Sequence, residues 1–368
     1  MTGVAARLQG MRVCIVAGSG GVGKTTASAA MALGLAAAGQ RVAVVTIDPA
    51  RRLAESLGLE ELGNEPRQVD PALLAAHGVR TEGELWAMML DPKATFDDLI
   101  TRLAPDARTR EDVLGNRIYK QLSSAVAGSQ EFTAVAKLYD LHHEGGFDML
   151  VLDTPPSRNA LDFLDAPDRL TDFFEGRALR VLLVPTGIAA RLMSRGTAVV
   201  FSILKRLTGV DLMDDIAVFF RALSGLMDGF KERAAGVKAL LADPATTFLI
   251  VTSPEREPVA EAIFFRGKLR EAGMAFGGLI VNRVNVAGAA DEDPAAVAAE
   301  LQQAGVSAPL AAKVAASVAD LQRLAARDAE SIARLKEELD EPDPIVVARL
   351  DGEVQDIEGL VALRDALM

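Results

Sequence analysis

The chain has 368 residues, of which 50% are hydrophobic and 24% charged, so it is long enough for two or three compact domains and too apolar to be disordered. Its formal net charge of −12 disfavours general nucleic-acid binding. A single cysteine, Cys14, excludes an internal disulfide and a thiolate zinc site. The apolar runs are shorter than the roughly 18 residues of a membrane span, and the N-terminus does not resemble a signal peptide. We therefore expect a globular, cytoplasmic protein without zinc. These features exclude a membrane span but do not exclude contact with a membrane surface.

The first predicted elements are a strand, a glycine-rich loop and a helix. Residues 12–17 form a short β-type apolar run, and residues 18–26 read Gly-Ser-Gly-Gly-Val-Gly-Lys-Thr-Thr. An alanine-rich stretch then continues to Gly39 and predicts a helix. A second buried strand is predicted at 42–47, and it ends at Asp48.

The later elements continue an alternation of strands and helices. We interpret 63–107 as an insertion rather than sheet core, with a candidate strand at 85–90 and a helix at 95–103. Because buried strands and helices alternate, the pattern predicts an α/β fold, a doubly wound and mostly parallel sheet of the P-loop NTPase type. The remaining predicted strands are 148–152, 247–252, 278–282 and 345–348, and the remaining helices are 259–272 and 309–339.

The region between residues 160 and 243 predicts helices, with 179–184 as the only plausible strand. We therefore expect a doubly wound core made of residues 1–160 and 244–368, and a helical subdomain at 161–243. A helix at 188–207 carries the chain's one basic face opposite an apolar face. This helix either packs within its own subdomain or docks an apolar protein client, a partner subunit or an anionic membrane surface.

The glycine-rich loop is a complete phosphate-binding motif, Gly18-x-x-x-x-Gly23-Lys24-Thr25. Its glycines let backbone amides wrap a polyphosphate, Lys24 neutralises phosphate charge, and the Thr25 hydroxyl is suited to Mg²⁺. The following helix adds the partial positive charge of its N-terminus. The candidate nucleotide-binding residues here are Gly20, Gly21, Val22, Gly23, Lys24, Thr25 and Thr26.

Two acids, Asp48 and Asp153, follow predicted strands. Phosphoryl transfer needs a held metal ion and an oriented water, so carboxylates beside a phosphate loop suit this chemistry. Asp153 suits the metal side, and Asp48 suits water orientation or general-base catalysis; each could also simply cap a loop. We take Lys24, Asp48 and Asp153 as candidate catalytic residues, and Thr25, Asp48 and Asp153 as candidate metal-binding residues.

These motifs, continued by Asp48-Pro-Ala50, by Asp153-Thr-Pro-Pro-Ser-Arg and by Val281-Asn-Arg283, resemble the ArsA-like anion-transporting ATPases. That family includes the arsenite-pump ATPase and the tail-anchored-protein targeting ATPase. The resemblance implies a deviant Walker A ATPase that works as a nucleotide-gated dimer. It also implies that Asn282, with Arg283 beside it, recognises the adenine base, and that a helical subdomain binds client or partner proteins.

Three departures from the family pattern affect the interpretation. Ser19 stands where the family has a lysine that reaches the partner's phosphates, and Arg51, Arg52 or Arg158 could supply the missing charge. The cysteines that bind zinc or metalloid have no counterpart, which disfavours arsenite sensing. The loss of the lysine also suggests a partner that carries it.

The motifs and the resemblance together predict an ATPase that uses Mg²⁺ and acts as a homodimer or as a heterodimer with a related ATPase. ATP is favoured over GTP because Asn285 lacks the carboxylate that recognises guanine. The alternative is a weakly hydrolysing regulatory subunit of a heterodimer with a lysine-bearing paralogue.

Overall fold

A computed structural model of the chain describes residues 3–47, 52–117, 119–120, 130–155, 219, 222, 225–286, 293–350, 352, 354 and 356–368. The predictions for Asp48, Arg51, Arg158, the strand at 179–184 and the helix at 188–207 lie outside these residues. Within the described ranges, no helix combines the length and the apolar composition that a membrane span requires.

The described elements follow the predicted alternation. The strands are β1 (Val13–Ala17), β2 (Arg41–Thr46), β3 (Arg67–Gln68), β4 (Glu84–Met89), β5 (Met149–Asp153), β6 (Thr246–Thr252), β7 (Phe276–Val284) and β8 (Ile345–Ala348). The helices are α1 (Val4–Arg7), α2 (Lys24–Ala37), α3 (Arg52–Ser56), α4 (Pro71–Ala76), α5 (Pro92–Leu103), α6 (Ala107–Leu114), α7 (Gln130–Glu144), α8 (Met227–Leu241), α9 (Arg256–Glu271), α10 (Pro294–Gln303), α11 (Ala308–Leu339) and α12 (Ile357–Leu367).

The eight strands form one sheet in the order β3-β4-β2-β5-β1-β6-β7-β8. All neighbouring pairs are parallel except β3 and β4. The doubly wound α/β prediction is therefore confirmed. β1 lies between β5 and β6, so the loop that follows it leaves the sheet at the carboxyl ends of parallel strands, where ligands bind in this architecture.

One part of the sequence interpretation is wrong. The stretch taken as an insertion outside the sheet contains β4, which pairs with β2 along six residues, Arg41–Thr46 against Glu84–Met89. Leu85, Ala87 and Met88 are buried. The apolar residues of this segment do not form the continuous run that is typical of a strand covered on both faces. The turn-forming and charged residues around the segment also obscured the strand.

The sheet belongs to the first of two compact units, which comprises Met1–Met89, Phe147–Leu161 and Pro244–Met368. Its central strands β1, β5 and β6 are buried along their whole length, as their apolar sequences require. Helix α2 packs against β2, β5, β4 and β1 and against α12 with small residues, mostly alanines. This packing holds the N-terminus of α2 directly after the glycine-rich loop.

The second unit comprises Leu90–Gly146 and Asp162–Asp243. Its described core is aromatic: Phe96 stacks on Phe230 with ring centroids 5.7 Å apart, and Tyr119 lies 6.4 Å from Phe96. Arg233 and Arg102 both pair with Asp140. The structure thus groups 90–146 with this unit, whereas the sequence interpretation took that stretch with the core. The helical subdomain at 161–243 stays a prediction, since most of it lies outside the described residues.

Candidate functional site

The glycine-rich loop joins β1 to α2 and depends on glycine for its path. Gly23 has φ of 94° at the N-terminus of α2, and a Cβ there would lie 2.5 Å from the Asn282 Nδ2. A Cβ on Gly18 would lie 1.9 Å from the Val251 carbonyl oxygen. Side chains at these two positions are therefore excluded, which leaves the backbone of the loop close to its neighbours.

The N-terminus of α2 has no side-chain cap. The first backbone N–H groups of a helix lack partners within the helix, so they suit an anionic ligand. Lys24 is the first residue of α2 and only 7% exposed. Its Nζ donates a hydrogen bond to the Ser19 carbonyl oxygen at 2.8 Å, which directs the ammonium back over the loop.

Asp153 ends β5 and is only 1% exposed. Its Oδ2 accepts hydrogen bonds from the Thr25 hydroxyl at 2.6 Å and from the Thr46 hydroxyl at 2.8 Å. The strand register explains the meeting, because Asp153 lies opposite Thr46 of β2 and Val16 of β1. We call Thr25, Thr46 and Asp153 the strand-side cluster.

The strand-side cluster fits a magnesium nucleotide by the chemistry of its donors. Mg²⁺ prefers hard oxygen ligands, keeps several waters and is held through one or two carboxylates together with phosphate oxygens. A hydroxyl and a buried carboxylate oxygen at the end of a phosphate loop match this preference. Thr25 and Asp153 were predicted for this chemistry from the sequence, and Thr46 was not.

Two side chains contact the loop from the other side. The Ser19 hydroxyl donates to the Glu261 Oε2 of α9 at 2.5 Å. The Asn282 Nδ2 of β7 donates to the Val22 carbonyl oxygen at 2.9 Å. We call these two contacts, Ser19–Glu261 and Val22–Asn282, the helix-side contacts. Neither of them was anticipated from the sequence.

Asn282 and Arg283 lie at an irregularity of β7. The register with β8 shifts between Val281 and Val284, and Arg283 is exposed with φ of 61°. The Asn282 Oδ1 accepts a hydrogen bond from the Arg283 backbone N–H at 2.9 Å. Both polar atoms of the Asn282 amide are thus engaged by the chain itself, and its reading of adenine stays a prediction.

Asn285, which resembles a guanine-recognition position, is held elsewhere. Its Nδ2 and its backbone N–H both donate to the Asp328 Oδ2, at 2.7 and 2.9 Å. Asp328 is fully buried on α11 and also pairs with Arg327. The side chain of Asn285 therefore anchors α11 to the end of β7.

The other predicted site residues have less defined surroundings. Val22 is buried, Gly20 and Gly21 are exposed, and Thr26 is half-buried in the first turn of α2. Arg52 is exposed at the start of α3. The structure thus brings Lys24, Thr25 and Asp153 together, with Asn282 at the opposite side of the loop.

The missed residues differ in how far sequence reasoning could have found them. Thr46 lies near the end of the strand predicted at 42–47 and two positions before Asp48, so a polar residue there was a usable signal. Glu261 lies in the first half of α9 between two alanines, with no motif around it. Its contact with Ser19 arises from the packing of α9 beside the sheet, which spacing along the chain does not show.

Comparison with known proteins supports the resemblance drawn from the motifs. An uncharacterised protein of Streptomyces coelicolor is 30% identical over 245 residues, covering 66% of this chain and 55% of that protein. The ATPase get3 of Aspergillus terreus is 30% identical over 160 residues, 43% of each chain. The ATPase ARSA1 of Chlamydomonas reinhardtii is 27% identical over 296 residues, 76% of this chain and 35% of that protein.

The chain spans about half the length of the curated relatives it matches, between 35% and 58% of each. The family described as anion-transporting ATPase matches residues 11–304, which include the loop, β5 and β7. With the loop, the strand-side cluster and the parallel sheet in their expected order, the chain belongs to the anion-transporting ATPase family.

Proposed function

We propose that this chain binds ATP together with Mg²⁺ and hydrolyses it. The observation that carries the proposal is the strand-side cluster, in which a buried carboxylate holds the hydroxyl of the phosphate loop at 2.6 Å. Membership of a family of ATPases supports the same chemistry. Together they favour phosphoryl transfer over simple anion binding.

Each group of the site has a distinct part in this proposal. The loop amides and the N-terminus of α2 bind the phosphates, and the Lys24 ammonium neutralises their charge. The Thr25 hydroxyl would be a metal ligand, and Asp153 orients it by accepting its proton in a hydrogen bond. A bound Mg²⁺ would neutralise charge that develops on the phosphate oxygens. Asp48, which follows β2, is proposed to orient the attacking water.

The test is ATP binding and steady-state hydrolysis with Mg²⁺ by the full chain. We expect Lys24→Ala to weaken ATP binding at least tenfold, because a hydrogen-bonded charge on the phosphates is lost. Asp48→Asn should still bind ATP but lose turnover. Lys313→Ala, an exposed lysine on α11, is the matched control. A wild-type chain that binds no ATP, or a Lys24→Ala variant that binds it normally, would contradict the proposal.

We further propose that the chain is a nucleotide-gated dimer whose ATP state controls a helical surface for a protein client or partner. The second candidate is a weakly hydrolysing regulatory subunit paired with a lysine-bearing paralogue. One observation favours this candidate: Ser19 has no positive charge, and its hydroxyl is directed to Glu261 of its own chain. A serine held in this way cannot neutralise the phosphates of a partner.

Light scattering separates these two candidates. A chain that dimerises with ATP and turns over alone is a self-sufficient switch. A chain that binds ATP tightly but stays monomeric and idle requires a partner, and the addition of a lysine-bearing relative should then restore turnover. Restored turnover would support a site shared between the two chains. If turnover is not restored, the hypothesis of a regulatory subunit is wrong.

A further inference from the structure

Ser19 is the one side chain at the start of the phosphate loop, between Gly18 and Gly20. It is only 6% exposed, and its hydroxyl donates to the Glu261 Oε2 at 2.5 Å. Hydrogen bonds from a hydroxyl to a carboxylate commonly have this length and are stronger than neutral ones. The contact therefore joins the loop to α9 through a charge-assisted bond.

The backbone of the same residue contacts the phosphate-binding lysine. The Ser19 carbonyl oxygen accepts the hydrogen bond of the Lys24 Nζ at 2.8 Å. One residue thus connects a carboxylate on α9 with the ammonium at the start of α2. Lys24 is itself only 7% exposed, so this contact lies in the interior of the protein rather than in solvent.

The glycines around Ser19 make this connection important. Gly18, Gly20 and Gly21 leave the loop backbone with more conformational freedom than other residues would. A loop that must be ordered on ligand binding loses affinity, and a loop that is already held avoids this cost. Ser19 and Val22 are the loop positions that described side chains of α9 and β7 hold, through Glu261 and Asn282.

We propose that Glu261 is a positioning residue for phosphate binding, which acts through Ser19 on the loop and on Lys24. The inference rests on the proposed function. Glu261 itself does not bind the nucleotide; its carboxylate fixes the Ser19 hydroxyl, and the backbone of Ser19 then directs the Lys24 ammonium. The residue works by holding the loop in one conformation before the phosphates arrive.

The test is the dissociation constant of ADP, measured by calorimetry with and without Mg²⁺. We expect Glu261→Ala and Ser19→Ala each to weaken ADP binding by roughly tenfold, in both conditions, because each removes the same charge-assisted bond. Glu261→Gln should bind ADP nearly as well as the wild type, since its side-chain carbonyl still accepts the Ser19 hydrogen bond. The double variant Ser19→Ala with Glu261→Ala should bind no worse than either single variant.

Glu271→Ala is the matched control, because Glu271 lies at the exposed end of the same helix and pairs with Lys268. Thermal unfolding of every variant tests whether the fold is kept. If Glu261→Ala does not fold, Ser19→Ala removes the same hydrogen bond from the loop side and should still show the roughly tenfold loss. The proposal is overturned if Glu261→Ala binds ADP like the wild type, if Glu261→Gln is as weak as Glu261→Ala, or if the single effects add in the double variant. Failure of the proposed function looks different, since the wild type itself would then bind neither ADP nor ATP.

Discussion

The two sides of the phosphate loop are built in different ways. The strand-side cluster joins side chains to side chains, and its carboxylate is almost fully buried at the end of β5. The helix-side contacts instead involve residues of the loop itself: the Ser19 hydroxyl donates to the half-buried Glu261, and the Val22 carbonyl oxygen accepts from the half-buried Asn282. The strand side thus presents reactive oxygens, while the helix side restrains the path of the backbone.

This difference separates two kinds of contribution to nucleotide binding. A change in the strand-side cluster should alter the part of the affinity that depends on Mg²⁺, because these oxygens suit a metal ion. A change in the helix-side contacts should alter the affinity equally with and without Mg²⁺, because it loosens the loop itself. Measuring the nucleotide affinity of each variant with and without Mg²⁺ therefore shows whether the substituted residue acts with the strand-side cluster or with the helix-side contacts.

Asp153→Asn should give the largest effect. The substitution keeps the size of the side chain but removes the buried charge that accepts both hydroxyls. We expect the gain in ATP affinity from Mg²⁺ to fall by roughly ten- to a hundredfold, since hydrogen bonds to charged groups are worth about 1.5–3 kcal/mol. A titration of Mg²⁺ at constant ATP measures this gain. Asp320→Asn, an exposed acid on α11, is the control, and an unchanged gain in Asp153→Asn would contradict the strand-side assignment.

Thr46→Val should give a smaller effect of the same kind. Valine keeps the branched shape at the end of β2 but removes one of the two hydroxyls that orient Asp153. A neutral hydroxyl bonded to a carboxylate predicts a roughly three- to tenfold loss of the Mg²⁺-dependent affinity. Thr46→Ser retains the hydroxyl and should recover most of it. Equal losses in both variants would show that packing, rather than the hydrogen bond, is responsible.

The sequence was informative wherever chemistry follows a local motif. The loop of residues 18–26, the helix after it and the acid at the end of β5 could each be predicted from a short segment. Thr46 and Glu261 could not be assigned their contacts, because these depend on strand register and on the packing of α9. Register brings Thr46 opposite Asp153 although 107 positions separate them.

The prediction at 63–107 failed for a related reason. β4 was recognised as a candidate strand, but its neighbours carry turn residues and charge, so the segment was taken as an insertion. Its place in the sheet depends on pairing with β2 and is absent from its own composition. For Asn282 the position was identified correctly, through the family resemblance, but its contact was not. Its side chain donates to the Val22 carbonyl oxygen, which the motif does not indicate.

Asn282→Ala tests the second of the helix-side contacts, the one between Asn282 and Val22. The substitution removes the hydrogen bond to the Val22 carbonyl oxygen, and we expect roughly three- to tenfold weaker binding of ADP with or without Mg²⁺. Inorganic pyrophosphate should lose affinity by the same factor, because it needs the same loop but has no base. A loss for ADP alone would assign Asn282 to the adenine and would remove it from the helix-side contacts.

Cys14 provides a probe at the boundary between the two sides. It lies on β1 opposite Val151 of β5 and Thr247 of β6, so both halves of the sheet cover it. Burial raises the pKa of its thiol to about 12, which keeps the thiol protonated at mildly alkaline pH, and the thiolate is the reactive form.

We expect Cys14 to react with a disulfide reagent only as fast as the chain unfolds. Substitutions at Asp153 or Glu261 should change the labelling rate of Cys14 very little, which makes this the smallest of the expected effects. These changes affect the loop and leave β1 paired with its neighbouring strands on both sides. Absorbance of the released thiolate, compared between native and denatured protein, measures the protection. Faster labelling in Glu261→Ala than in Asp153→Asn would mean that the helix-side contacts stabilise the sheet as well as the loop, and the separation of the two sides would then be incomplete.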